Sequence, residues 1–194
     1  GHIAEAAKYY LLCLKQGYKD PIIFNNYGTI LRQIGKLQEA AILTRKAIEI
    51  KPNFSEAHSN LGNILKDIGK LQEAEVQQRK AIKFKPDFAK AHNNLGTILH
   101  ELGKSTEAEQ SIRKAIALKP NYAQAHNNLG SILKYLGNLQ QSELSIRKAI
   151  ELKPNYAQAH NNLGSIFNEL GKLKEAELSI RKAIKLQPSF AEAY

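Results

Sequence analysis

Between residues 55 and 88 the apolar side chains fall at helical spacing. Ala57, Leu61, Ile64, Leu65 and Ile68 recur every three or four positions, the signature of one face of an α-helix. Gly69 follows this run, where a left-handed terminal residue ends a helix. A second helix is predicted from about Leu71 to Phe84, with Ala74, Ala81 and Ile82 turned toward its partner. Pro86 prevents it from continuing. Asn53, behind Pro52, is expected to cap the first helix, with Glu56 three residues on reaching back. Asn121 with Gln124, Asn155 with Gln158 and Ser189 with Glu192 repeat that arrangement. The predicted unit is two antiparallel helices joined by a tight turn.

The pattern recurs every 34 residues. Asn26, Asn60, Asn94, Asn128 and Asn162 form one column, Gly35, Gly69, Gly103, Gly137 and Gly171 a second, and Pro52, Pro86, Pro120, Pro154 and Pro188 a third. A fixed period of this length means stacked repeats, in which each unit touches only its neighbours and no central core forms. The predicted fold is all-α, a right-handed α-solenoid of antiparallel helix pairs. Five units fit, at 21–54, 55–88, 89–122, 123–156 and 157–190. Residues 1–20 supply the second helix of a partial repeat, and 191–194 start a further one. The chain has no methionine, enters in mid-repeat and offers no polar cap at either end. It therefore reads as a fragment whose parent continues in both directions, and the uncapped solenoid ends leave self-association open.

The period, the Leu61-Gly62 pair, Ala74, Ala81 and Pro86 resemble the tetratricopeptide repeat. The resemblance covers essentially the whole chain. Three slots depart from the family's pattern. Its first aromatic slot holds His58, His92, His126 and His160, and its second Leu65, Leu99, Leu133 and then Phe167. Its third holds Gln78 or isoleucine (Ile112, Ile146, Ile180), and Gln78 is the weak spot. The resemblance implies a protein-interaction scaffold with a concave groove lined by the first helices. An asparagine column of this kind is similar to that of the repeat region of protein O-GlcNAc transferase. This similarity implies an alternative: a substrate-recruiting region of a larger glycosyl- or sulfotransferase-type enzyme whose catalytic domain lies elsewhere.

A helix turns about 100° per residue. The columns of His58, Leu61, Gly62 and Leu65 therefore share one side of the first helix, and those of Glu56, Ser59, Asn60, Asn63, Lys66 and Asp67 lie opposite. Asparagine is a mediocre helix former, so five copies at one slot need a reason. Each amide carries a donor and an acceptor, matching one peptide unit. With repeats about 10 Å apart and an extended chain rising about 3.3 Å per residue, the column is expected to hold about every third residue of a bound peptide. Asn26, Asn60, Asn94, Asn128 and Asn162 are the candidate backbone contacts. Asn93, Asn127, Asn161, Lys66, Lys90 and Lys134 are the candidates for tuning selectivity. The competing reading is that the amides bridge neighbouring repeats. A hydrogen bond nets about 0.5–1.5 kcal/mol, against about 1–2 kcal/mol to order each peptide residue, so the column alone is a weak grip.

Net charge of +10 invites a nucleic-acid reading, but its location argues otherwise. On the first helices Arg32, Lys66, Lys90 and Lys134 balance Glu56, Asp67, Glu101 and Glu169. The excess lies on the second helices, at Arg45-Lys46, Arg79-Lys80, Arg113-Lys114, Arg147-Lys148 and Arg181-Lys182. There Glu75, Glu109, Glu143 and Glu177 stand four residues before an arginine, the stabilising order. A solvated convex face is expected, and nucleic acid is not expected as a partner; base-reading by helical repeats would rest on Tyr27 and Tyr135. The histidine column is expected to fill the slot between paired helices, because the step of about 10 Å forbids shared metal ligation. Gly103-Lys104-Ser105 lacks the glycine of a phosphate loop, with Ile98 in its place. The chaperone-tail clamps of the family need an arginine where Asn94 or Asn128 stands. No nucleophile–base pair, cofactor motif or metal site emerges, so no enzyme is expected. Cys13, the single cysteine, is expected to be a buried inert thiol. Without a signal peptide or a membrane-length apolar run, the reading is cytoplasmic.

Overall fold

The computed structural model describes residues 8–12, 16–17 and 19–188. Ser189 to Tyr194 and Cys13 lie outside the described residues, and so do the expectations placed on them. Residues 8–12 are helical. Ten helices with full bounds follow: α1 (Pro21–Gln33), α2 (Leu37–Ile50), α3 (Ser55–Asp67), α4 (Leu71–Phe84), α5 (Ala89–Glu101), α6 (Ser105–Leu118), α7 (Ala123–Tyr135), α8 (Leu139–Leu152), α9 (Ala157–Glu169) and α10 (Leu173–Leu186). The described residues are otherwise turns and short connections, with no strand among them.

The chain divides into two compact units, one ending at Leu102 and one beginning at Gly103. In the first, α1 pairs with α2 and α3 with α4, α3 also packs on α2, and α5 packs on α4. Among the first helices, α3 neighbours both α1 and α5 directly. In the second unit α7 pairs with α8 and α9 with α10, α7 packs on α6, α9 packs on α8, and α7 neighbours α9. Each unit is therefore a stack of helical hairpins, the all-α solenoid arrangement that the period predicts.

The hairpin turn is set by glycine. Gly69 has φ 86°, a left-handed value that costs a residue with a Cβ, and the Lys70 N–H reaches back to the Leu65 carbonyl at 2.8 Å. Gly137 repeats this with φ 79° and a bond from Asn138 N–H to the Leu133 carbonyl.

The other end of the first helix corrects the sequence reading. Asn53, Asn121 and Asn155 do not cap. The residues before α3, α7 and α9 are Phe54, Tyr122 and Tyr156, none with a side-chain cap bond. The Phe54 N–H bonds the Lys51 carbonyl at 3.1 Å, closing a β-turn with Pro52 and Asn53 at its centre. The asparagine is thereby held one position too early. The aromatic ring at the cap position lies under a lysine three residues back: Lys51 over Phe54, Lys85 over Phe88, Lys119 over Tyr122 and Lys153 over Tyr156, at 4.9–5.3 Å. Burial pushes the Tyr122 and Tyr156 hydroxyls above their ordinary pKa. Asp20 is the cap that reading passed over: its carboxylate accepts the Ile22 N–H at 2.7 Å, with Pro21 at the first helical position.

Inside the hairpins α1/α2, α3/α4, α7/α8 and α9/α10 a second glycine column, Gly28, Gly62, Gly130 and Gly164, lets the helices touch. A Cβ on Gly62 would stand 2.7 Å from Gln78 Nε2, and one on Gly130 2.5 Å from the Ile146 side chain. Gln78 is fully buried; its Nε2 donates to the Ser59 carbonyl at 2.9 Å and to Asn63 Oδ1 at 3.1 Å, while its Oε1 accepts nothing. An unmet buried carbonyl is destabilising by about 1–3 kcal/mol. The unit at 123–156 solves the same geometry with Ile146 and Ser131. Gln78→Ile with Asn63→Ser, which transplants that pair, is expected to raise the melting temperature by about 2–4 °C, equivalent to about 1 kcal/mol after the lost bonds are deducted. A calorimetric scan showing a lower value would mean that the Gln78 donors outweigh its stranded acceptor.

Candidate functional site

The asparagine column follows the first helices, with Asn26 on α1, Asn60 on α3 and Asn94 on α5 in the first unit, and Asn128 on α7 and Asn162 on α9 in the second. All five are half-buried. The residue before four of them is more enclosed. Asn25, Asn93 and Asn127 are 5%, 1% and 4% exposed, Ser59 is buried and Asn161 is half-buried. Asn93 and Asn127 were expected to tune selectivity at the surface. Asn127 meets the next first helix, where its Oδ1 accepts from Asn162 Nδ2.

The hydrogen bonds specify how the column is used. Asn60 Nδ2 donates to Asn25 Oδ1 at 2.9 Å and to Thr29 Oγ1 at 3.3 Å. Asn162 Nδ2 donates to Asn127 Oδ1 at 3.0 Å and to Ser131 Oγ at 3.1 Å. Each hydroxyl spends its own proton on a helix carbonyl, Thr29 on Asn25 and Ser131 on Asn127. It can therefore only accept from the amide, which fixes the amide nitrogen toward the preceding hairpin. Both protons of Asn60 and of Asn162 are thus committed to bridging. The open valence is the carbonyl oxygen. Among the described residues Asn60 Oδ1 accepts nothing, and Asn162 Oδ1 accepts only from Gln158 Nε2 at 3.1 Å. In the first hairpin Asn25 Nδ2 donates to Asn26 Oδ1 at 3.4 Å, and Asn26 Nδ2 to the Tyr10 hydroxyl at 3.3 Å.

Asn94 differs. The two positions that it faces on α3 are Ser59 and Asn63, in place of an asparagine and a hydroxyl. Its Nδ2 makes one long bond, 3.4 Å to Ser59 Oγ, and Asn63 Oδ1 is taken by Gln78. Among the described residues Asn94 keeps one N–H and its Oδ1 open, the donor–acceptor pair that one peptide unit needs. The signal for this lay in the sequence, as Asn25 giving way to Ser59 and Thr29 to Asn63, but it is read only once residues 35 and 31 positions apart are known to meet.

The same offset organises the charges. Arg32 pairs with Asp67 at 2.6 Å, Lys66 with Glu101 at 3.3 Å and Lys134 with Glu169 at 2.9 Å, each joining one first helix to the next. Lys134 also donates to Ser165 Oγ at 2.6 Å. Lys66 and Lys134 are therefore engaged, whereas Lys90 is exposed and forms no ion pair among the described residues. On the second helices the four expected pairs are present, Arg79–Glu75, Arg113–Glu109, Arg147–Glu143 and Arg181–Glu177, at 2.6–2.9 Å. Burial pushes the Glu143 carboxyl up, but hydrogen bonds from Arg147 and Lys172 outweigh it and hold that group below the usual range.

The histidines tie turns to helices. Nε2 of His58, His92, His126 and His160 each lies 2.9 Å from the carbonyl of the proline six residues back, so it donates there. Only His58 of these four is fully buried; the other three are half-buried. On the second-helix side of the second unit, a cleft of about 580 Å³ is lined by Ile150, His160, Leu163, Phe167 and Leu178. A similar cleft lies 34 residues earlier at Ile116, His126, Leu129 and Leu144, and Leu144 and Leu178 are 69% exposed. No helix among the described residues is long and apolar enough to cross a membrane.

The bridging amides carry a prediction of their own. Asn60→Ala removes two bonds and strands the buried Asn25 Oδ1, offset in part by the better helix propensity of alanine. The expected net loss is about 1 kcal/mol, or about 2–4 °C in melting temperature. An unchanged melting curve would mean that the bridge contributes nothing.

Family models described as tetratricopeptide repeat match residues 1–53, 43–76, 89–122, 123–156 and 157–190, and one described as TPR repeat matches 62–103. No curated protein matches the chain. Among solved structures, a MamA crystal structure is 25% identical, with a TM-score of 0.71 over 85% of this chain and 96% of that one. YrrB, described as a TPR protein with an unusual peptide-binding site, is 24% identical, with a TM-score of 0.68 over 94% of each chain. TTC0263, a thermophilic TPR protein of Thermus thermophilus, is 21% identical, with a TM-score of 0.77 over 87% of this chain and 92% of that one. These likenesses establish the fold.

Proposed function

The chain belongs to the tetratricopeptide repeat family, and from that premise we propose that this protein-interaction scaffold takes an extended protein segment along its first-helix face. The observation that carries this reading is Asn94, whose open N–H and Oδ1 stand in a column of half-buried amides. Asn26, Asn60 and Asn94 in the first unit, and Asn128 and Asn162 in the second, hold backbone groups of such a segment. Asn93, Asn127 and Asn161 position that column from behind. Lys66, Lys90 and Lys134 set selectivity, and Lys90, exposed and outside the ion pairs of the first helices, favours an acidic side chain on the segment. The protein acts by binding, with no catalysis of its own.

Selection from an unbiased peptide library against the whole chain tests the proposal, with hydrogen-exchange footprinting of the enriched peptides. Protection is expected on α3, α5 and the other first helices. Peptides that protect only the Leu144 and Leu178 side, or a selection that enriches nothing, would overturn it.

A further inference from the structure

Building on that reading, we infer that the groove selects a segment in the polyproline II conformation, gripped through one backbone N–H per turn. Two observations lead there. The first is the polarity of the column. Both amide protons of Asn60 are spent on Asn25 and Thr29, and both of Asn162 on Asn127 and Ser131. What these residues offer a ligand is the side-chain oxygen, so the ligand must donate. Asn94 adds a donor that is open to a ligand carbonyl.

The second is the step. Packed helices lie about 8–10 Å apart, and within each unit successive column members sit on neighbouring first helices. A β-strand cannot meet that step. Its groups face the same way every second residue, at about 6.6–6.8 Å or twice that, and every third residue points to the opposite side. Polyproline II has three residues per turn and rises about 3.1 Å per residue, so equivalent groups return to one side every 9.3 Å or about that. Its backbone makes no internal hydrogen bonds, which leaves each N–H available. The expected ligand is therefore proline-tolerant at two positions in three. At the third it requires a residue other than proline, because proline has no N–H.

The probe needs no knowledge of the natural partner. A peptide of about fifteen residues built on Ala-Pro-Pro keeps one N–H per turn; an all-proline peptide of the same length has the same shape and none. In titrations of the isotope-labelled whole chain, the Ala-Pro-Pro peptide is expected to shift the side-chain amide signals of Asn60 and Asn94 and to bind at least about tenfold more tightly than the all-proline peptide. Equal binding of the two would overturn donor capture and with it the inference. A proline scan of a library-selected peptide supplies the second arm. Sensitivity with a period of three supports the inference. A period of two overturns it yet leaves first-helix binding intact. If neither the designed nor the selected peptides move these amide signals, the inference and the reading beneath it fall together.

Discussion

Gly130→Val is expected to lower the melting temperature by about 6–12 °C, a loss of about 3 kcal/mol. A Cβ at Gly130 would stand 2.5 Å from Cγ1 and Cδ1 of Ile146 and 3.2 Å from the Ser142 carbonyl. Ile146 is completely buried, so its side chain has nowhere to retreat. The Ser142 carbonyl is backbone and yields only if α8 moves. Ser142 Oγ also donates to the Gly130 carbonyl at 2.6 Å, so separating the helices breaks that bond as well. Two further methyl groups on the added Cβ worsen each contact. The cause can be isolated with Gly130→Ala and Ile146→Ala. Because truncating Ile146 empties the space that the new methyl needs, the double variant is expected to be more stable than the sum of the single losses implies. Simple additivity in thermal melts would mean that glycine serves some purpose other than close approach.

Asn94→Ala is expected to weaken a library-selected peptide by at least about tenfold, while the melting temperature moves by less than about 2 °C. The binding loss follows from removing both an N–H and an Oδ1 from one peptide unit, two bonds worth about 0.5–1.5 kcal/mol each. The small change in stability follows from how little Asn94 contributes to bridging. Its one link, to Ser59 Oγ at 3.4 Å, is long, and alanine recovers about 0.6 kcal/mol of helix propensity. Asn60 shows the opposite balance, with two shorter bridges and a single open acceptor. Comparing the two variants separates grip from bridge within one column, a distinction that replacing the whole column would erase.

What is local or periodic in this chain was legible in its sequence. The helices, the left-handed Gly69 and the four Glu–Arg pairs of the second helices each depend on residues a few positions apart, where one-dimensional spacing is geometry. Capping was misread because Asn53 satisfies the cap preference in composition but sits inside the β-turn that Pro52 sets. Ion pairing on the first helices appeared only as a balance of charge, because Arg32 and Asp67 are 35 residues apart and meet through stacking. The column itself was legible, but its polarity was not. Whether an asparagine amide is open to a ligand depends on what stands 35 and 31 residues earlier: Asn25 and Thr29 for Asn60, Ser59 and Asn63 for Asn94. The five candidate residues are therefore not equivalent: Asn60 and Asn162 have both amide protons engaged, whereas Asn94 makes a single long bond.

The most direct test follows the side-chain amide of Asn94 by NMR while a library-selected peptide is titrated into the whole chain to saturation. The account predicts that both Nδ2 proton signals of Asn94 shift, that their exchange with water slows, and that the Nδ2 signals of Asn162, already bridged, move less. Saturation with the Asn94 amide signals unmoved would contradict it.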